Sequence, residues 1–319
     1  MSLETFAYGS HDLQTVTVAR LPPYPASAPL HHTNTGDEKN GFWIVLIHGG
    51  AWRDPTQTST SYLTPSIPLL SSTQSQSETH TQTPTQEQPN PLKPAHISGL
   101  ASISYRLSPH PSHPQDVKGT LPSHLRVAKH PDHLDDVQCA LKFLQEKFRF
   151  GGRYVLVGHS CGATLAFESV MPSLLNDKTG TSYVPPLAIL GMAGIYDLCS
   201  LRDKNKSIFA YQEFISGAFG EDEKVWDAVS PAVVGGEKGV QGWKEGKVVV
   251  LAHSKSDELC DIEQSESMQA FLKEGWGKTE GREVRFLPIE GKHDEAWEKG
   301  VELARGILYT LERLQNLRV

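Results

Sequence analysis

One five-residue stretch constrains this chain more than any other feature. Gly158-His159-Ser160-Cys161-Gly162 follows the apolar run Tyr154 to Val157 and leads into Ala163-Thr164-Leu165-Ala166, the start of a helical pattern. A G-x-S-x-G turn between a strand and a helix projects its serine from the strand end, and the next amide N–H points into the same space. The turn is sharp enough to force the serine backbone toward positive φ. Glycines on either side let strand and helix approach without a Cβ between them.

A serine hydroxyl is a weak nucleophile at neutral pH. It needs a histidine to take its proton and a carboxylate to hold that imidazole in the right tautomer. Where an elbow serine has this role, the acid and then the base follow it along the chain. Two later apolar runs lead into such residues. Val248 to Ala252 precedes His253-Ser254-Lys255-Ser256-Asp257-Glu258, and Val284 to Leu287 precedes Glu290-Gly291-Lys292-His293-Asp294. Catalytic groups on open α/β sheets gather at the carboxyl ends of strands. Ser160 is therefore read as nucleophile, Asp257 as orienting acid and His293 as base, with Glu258, Asp261 and His253 as rivals. Taken singly, each of these charges is a solvated loop residue; their joint placement carries the reading.

His48-Gly49-Gly50-Ala51-Trp52 directly follows the run Phe42 to Ile47. Acyl transfer builds negative charge on the carbonyl oxygen, and preorganised backbone N–H donors are its strongest stabiliser. Consecutive glycines let such amides face a substrate unobstructed, so Gly49 and Gly50, with the amide of Cys161, are the expected oxyanion hole. His48 and Trp52 complete the motif, and Trp52 is either a ring contact for the substrate or a buried core indole. Cys161 as a thiol nucleophile is disfavoured, because Ser160 is the residue the elbow projects.

The rest of the chain alternates short apolar runs with helical patterns, the mark of a mostly parallel sheet covered by helices on both faces. Strands are predicted at residues 15–21, 42–47, 100–105, 154–157, 187–190, 248–252 and 284–287. Leu134, Val137, Leu141, Leu144 and Phe148 recur at helical spacing after Pro131 and Asp132. A second helix is expected from Ser160 to about Met171, ended by Pro172, and a last one over most of residues 295–314. Residues 197–246 break the alternation and read as a small helical cap over one α/β domain spanning 1–319.

Between Ser71 and Asn90, Ser, Thr and Gln occupy fourteen of twenty positions, so this stretch cannot offset its conformational entropy by apolar burial. Residues 71–96 are read as a disordered insertion. The 30 Lys and Arg against 37 Asp and Glu leave a net charge of −7, a poor match to nucleic acid or an anionic membrane. The longest apolar run, Phe42 to Ile47, is far short of a bilayer. Four cysteines without a CxxC pair imply reduced thiols and, with no cationic and apolar leader, a soluble cytoplasmic protein. No His, Cys or carboxylate cluster has metal-ligand spacing, and no GxGxxG or GxxxxGK loop is present, so neither a metal nor an organic cofactor is expected. His110, His113, His124, His130 and His133, among Pro-rich loops, read as solvent-exposed.

Together these residues resemble the α/β-hydrolase superfamily, and within it the hormone-sensitive-lipase-like branch, through His48-Gly49-Gly50 and through Tyr105-Arg106-Leu107-Ser108-Pro109. HGGAW followed by Arg53-Asp54-Pro55, GHSCGA at the elbow and Asp257-Glu258-Leu259 before His293 is similar to the serine-type kynurenine formamidases (arylformamidases), fungal ones above all, from about Trp43 to about Trp297. The resemblance implies hydrolysis of N-formyl-L-kynurenine to L-kynurenine and formate, in tryptophan breakdown toward NAD, without metal or organic cofactor. The substrate is the implied small-molecule partner, and a homodimer is a possible assembly. By motif match it implies Ser160, Asp257 and His293 as the triad, with Gly49, Gly50 and Cys161 donating to the oxyanion. The Ser/Thr/Gln-rich insert departs from the family pattern. A carboxylesterase of the same branch and a non-catalytic binder on this fold are the alternatives.

Overall fold

A computed structural model describes residues 3–19, 21, 41–76, 96–175 and 182–319. Eight strands form one sheet: β1 (Leu3–Ala7), β2 (Thr15–Ala19), β3 (Phe42–Ile47), β4 (Ile97–Ile103), β5 (Tyr154–His159), β6 (Ala188–Met192), β7 (Val248–Ser254) and β8 (Glu283–Ile289). Their spatial order is β1-β2-β4-β3-β5-β6-β7-β8. The β1–β2 and β2–β4 pairs are antiparallel and every pair from β4 to β8 is parallel.

The continuously apolar strands are the central ones, because both of their faces are covered. Along β3, Trp43, Val45 and Ile47 enter one core layer while Phe42, Ile44 and Leu46 enter the other. Among the described residues ten α-helices connect and cover the strands: α1 (Ser59–Leu63), α2 (Ile67–Gln76), α3 (Asp132–Phe148), α4 (Cys161–Glu168), α5 (Leu198–Lys204), α6 (Phe209–Phe219), α7 (Glu223–Val229), α8 (Ile262–Glu274), α9 (Glu295–Glu298) and α10 (Val301–Asn316). The α3 stripe Leu134, Val137, Leu141 and Leu144 joins the first layer, and Leu303, Ile307, Leu311 and Leu314 of α10 join the second. Each such side chain contributes about 1.5–3 kcal/mol on full burial.

Four expectations are corrected. β1 was not foreseen: it is an edge strand of sequence LETFA with only Phe6 partly buried, so it lacks the apolar signal of the central strands. The elbow helix ends at Glu168 rather than near Met171; Val170 and Met171 donate instead to carbonyls three residues back, and Met171 is extended ahead of Pro172. The predicted last helix is two, α9 and α10, parted at Gly300. There φ is +71° and a Cβ would lie 2.1 Å from the Pro65 carbonyl oxygen. Finally, α2 runs through Gln76, so residues 71–76 of the stretch read as disordered are helical. Residues 77–95 of that stretch lie outside the described residues, and His96, its last, leads into β4. In the region read as a cap, α5, α6 and α7 supply the helices. No helix among the described residues is long and apolar enough to cross a membrane.

Candidate active site

Ser160 stands at the end of β5 with φ 54° and ψ −123°, the strained elbow conformation expected of it. The glycine requirement is literal. A Cβ on Gly158 would lie 2.3 Å from the Gly162 carbonyl oxygen, and one on Gly162 would lie 2.3 Å from that of Ile47. The turn is held by the Ser160 amide, which donates to Met192 O at 2.9 Å. Ser160 is buried but retains some exposure.

Asp257 and His293, from the loops after β7 and β8, meet directly: His293 Nδ1 donates to Asp257 Oδ2 at 2.8 Å. That fixes the tautomer, leaving Nε2 of the neutral ring as an acceptor. Asp257 Oδ1 accepts from the amides of Leu259 at 2.9 Å and Cys260 at 2.8 Å. Burial disfavours its charge, but hydrogen bonds from His253 and His293 outweigh that and hold the carboxyl well below the usual carboxylate range. No hydrogen bond joins Ser160 to His293 among the described residues. Such contacts commonly tighten only when substrate is bound.

The rivals sit elsewhere in the network. His253 lies behind Asp257, its Nε2 3.3 Å from Oδ2 and donating to Cys260 O at 2.9 Å, its Nδ1 bonded to Ser265 Oγ at 2.7 Å. Glu258 accepts from the His293 amide at 3.2 Å. Asp261 pairs with Lys204 at 3.2 Å and accepts from Asn205 at 3.0 Å. All three brace the surroundings of the Asp257–His293 pair.

His48-Gly49-Gly50 follows β3 and turns under the elbow. A Cβ on Gly49 would meet His159 Nδ1 at 2.7 Å and Ser160 Cβ at 3.1 Å, and Gly50 has φ +96°. Among the described residues nothing accepts from the N–H groups of Gly49 and Gly50. Cys161 opens α4, where an amide has no intrahelical acceptor. Its thiol is fully buried, receives the Trp52 N–H at 3.3 Å, and is pushed up to about 11 by burial. A thiol so placed is not a poised nucleophile.

Trp52 is a core indole with no exposed surface, 4.9 Å edge-on from Phe219, which removes it as a surface contact for the substrate in this conformation. His48 is also buried, stacked 4.5 Å from Tyr105 and lowered to about 4 by burial. Sequence reasoning gave Tyr105 no individual role. Its hydroxyl donates to the carbonyls of His48 at 3.0 Å and Gly49 at 3.2 Å, bracing the glycine turn from beneath. The YRL-x-P pattern was the signal for it. His159 was missed as well: its Nε2 donates to His293 O at 3.1 Å, tying the elbow to the histidine loop.

Three histidines read as exposed are not, His110 among them, half-buried in the loop after β4. His133 is buried in α3, bonded to Ser108 Oγ at 3.1 Å and lowered to about 3 by burial, and His130 is half-buried 5.6 Å from Phe219. Spacing along the chain offered no metal-ligand cluster. Folding brings ligand atoms of His159, His293 and Asp294 within 4.8 Å of one another, a cluster that linear spacing could not reveal.

A G-x-S-x-G elbow on a mostly parallel sheet, with an imidazole–carboxylate pair beyond the carboxyl ends of β7 and β8, defines an α/β hydrolase. Solved structures share the fold. Esterase B from Lactobacillus rhamnosis superposes with a TM-score of 0.62 at 17% identity, covering 99% of this chain and 85% of that one. Esterase 2 of Thermogutta terrifontis gives 0.59 at 16%, covering 99% and 93%. No protein-family profile matches the chain. Among curated proteins, a kynurenine formamidase-like hydrolase of Fusarium equiseti is 40% identical over 308 residues, covering 96% of this chain and 95% of its own. A kynurenine formamidase of Aspergillus versicolor is 33% identical over 290 residues, covering 84% and 88%, and one of Meyerozyma guilliermondii is 29% identical over 282, covering 85% and 81%. The chain belongs to the kynurenine formamidase family, and it is a hydrolase of amide or ester bonds.

Proposed function

We propose that this enzyme hydrolyses N-formyl-L-kynurenine to L-kynurenine and formate through a formyl-enzyme on Ser160, as a step in tryptophan breakdown toward NAD. The observation that carries the mechanism is the Asp257–His293 hydrogen bond of 2.8 Å at the strand ends, on the sheet whose β5 ends in the Ser160 elbow. The kynurenine formamidases among its relatives support the substrate. Ser160 Oγ attacks the formyl carbon while its proton passes to His293 Nε2. The N–H groups of Gly49, Gly50 and Cys161 receive the oxygen on which charge develops. The C–N bond then breaks as His293 returns the proton to the departing arylamine. A water molecule, giving its proton to the same nitrogen, attacks the formyl ester; formate leaves and Ser160 regains its hydrogen. Asp257, kept ionised, stabilises the imidazolium that forms in each half. Free cysteines at 139, 161, 199 and 260 support a reducing, cytoplasmic setting.

The test is a comparison of kcat/KM for N-formylkynurenine and p-nitrophenyl acetate by absorbance. The formamide is expected to be the better substrate. Much higher kcat/KM with the ester would make this a carboxylesterase on the same scaffold.

A further inference from the structure

A pocket of about 490 Å3 opens between α6 and the loop after β4. Its volume is that of a small-molecule site. Neither Ser160 nor His293 lines it. Its lining includes Arg53, Arg126 and Lys129, the imidazoles of His110 and His113, and a single carboxylate, Glu213.

The charges do not cancel. Glu213 lies 3.4 Å from Arg53, whose side chain is only 12% exposed, and so offsets one cation of three. Arg126 donates through Nη2 to His113 O at 2.7 Å, while its Nε is buried with no acceptor among the described residues. Arg guanidinium is suited to carboxylates because its N–H groups fork toward two oxygens. One lining residue, Arg53, belongs to the loop that carries the glycine pair. The Arg53 amide donates to Gly50 O at 2.9 Å, so this cation leaves the same turn that presents Gly49 and Gly50.

We infer that this pocket receives the carboxylate of the substrate's amino-acid end, with Arg53 and Arg126 as partners, so that the enzyme selects carboxylate-bearing arylformamides over neutral ones. The inference rests on the activity proposed above and gives it a specificity device. That carboxylate is several bonds from the formyl carbon, in keeping with a cationic pocket beside the glycine turn rather than at Ser160.

Steady-state kinetics of the full chain with N-formylkynurenine and with neutral N-formylaniline tests it. In Arg126→Gln, KM for N-formylkynurenine should rise about tenfold, equivalent to about 1.4 kcal/mol, with kcat and the N-formylaniline kcat/KM within about twofold of the parent. Arg126→Lys should recover part of the loss, and Lys129→Gln, at an exposed position, should repeat it in milder form. An unchanged KM for N-formylkynurenine, or a parallel fall on both substrates, overturns the inference. If the parent enzyme turns over neither formamide, the proposed activity is what fails. Calorimetry of N-formylkynurenine with the Ser160→Ala protein then reads the pocket by itself: loss of binding on adding Arg126→Gln supports it, and equal binding overturns it.

Discussion

Asp257 shows how one side chain is committed at both carboxylate oxygens. One oxygen takes two backbone amides of its own loop and the other takes His293, with His253 at 3.3 Å behind it. Asp257→Asn keeps the shape and an acceptor for the amides but loses the charge. Its kcat should fall on the order of 10⁴-fold while the thermal midpoint moves little; activity within about tenfold of the parent would remove Asp257 from the mechanism. Glu168 presents the opposite situation. It closes α4 with no exposed surface, neither carboxylate oxygen has a partner among the described residues, and burial pushes it from its ordinary 4.5 up to about 8. The folded state therefore holds a proton that the unfolded chain has released between those values. The contribution of Glu168 to stability is full below about pH 4.5, falls as pH rises toward about 8 and levels off above it, each pKa unit being worth about 1.4 kcal/mol. Glu168→Gln should abolish that slope in denaturant melts taken from pH 5 to pH 9, whereas an unchanged slope would assign it to other groups. Neither feature was equally legible. Asp257 was marked by its place after a strand and before a histidine-bearing loop. Glu168, inside an otherwise apolar helix, gave no sign that its carboxyl would be enclosed without a partner.

The elbow was the most legible element, because its glycines are demanded by backbone clearance rather than by packing that only the full fold defines. Gly158→Ala places a methyl 2.3 Å from a carbonyl oxygen of the following helix, and a strand and helix held on both sides cannot both retreat. A loss of about 3 kcal/mol or more is expected in chemical denaturation. Gly217 is the control: it lies within α6, and a Cβ there meets nothing within 4 Å. Gly217→Ala should stabilise by roughly 0.5–1 kcal/mol. Equal and small effects at the two positions would mean that the elbow is looser than described. The less legible elements failed for identifiable reasons. β1 pairs along an exposed edge and lacks an apolar run, and the break between α9 and α10 is set by Pro65, a residue more than two hundred positions away in the chain.

At the scale of the molecule, the parallel core of the sheet could be read because strands buried on both faces are written as unbroken apolar runs. What the sequence could not convey is convergence. His159 ends β5, His293 and Asp294 lie in the loop after β8, and the three come together only when β5 and β8 are placed in one sheet. The same holds for the cationic pocket, whose arginines are far apart in the chain, at positions 53 and 126. The proposed chemistry of the molecule depends on a covalent acyl-enzyme at the elbow. Mass spectrometry of the digested protein after titration with a fluorophosphonate tests this most directly. The peptide bearing Ser160 should gain one phosphonyl adduct per chain as activity falls in proportion. Complete labelling of that peptide with activity retained, or complete inactivation with the peptide unmodified, would contradict it.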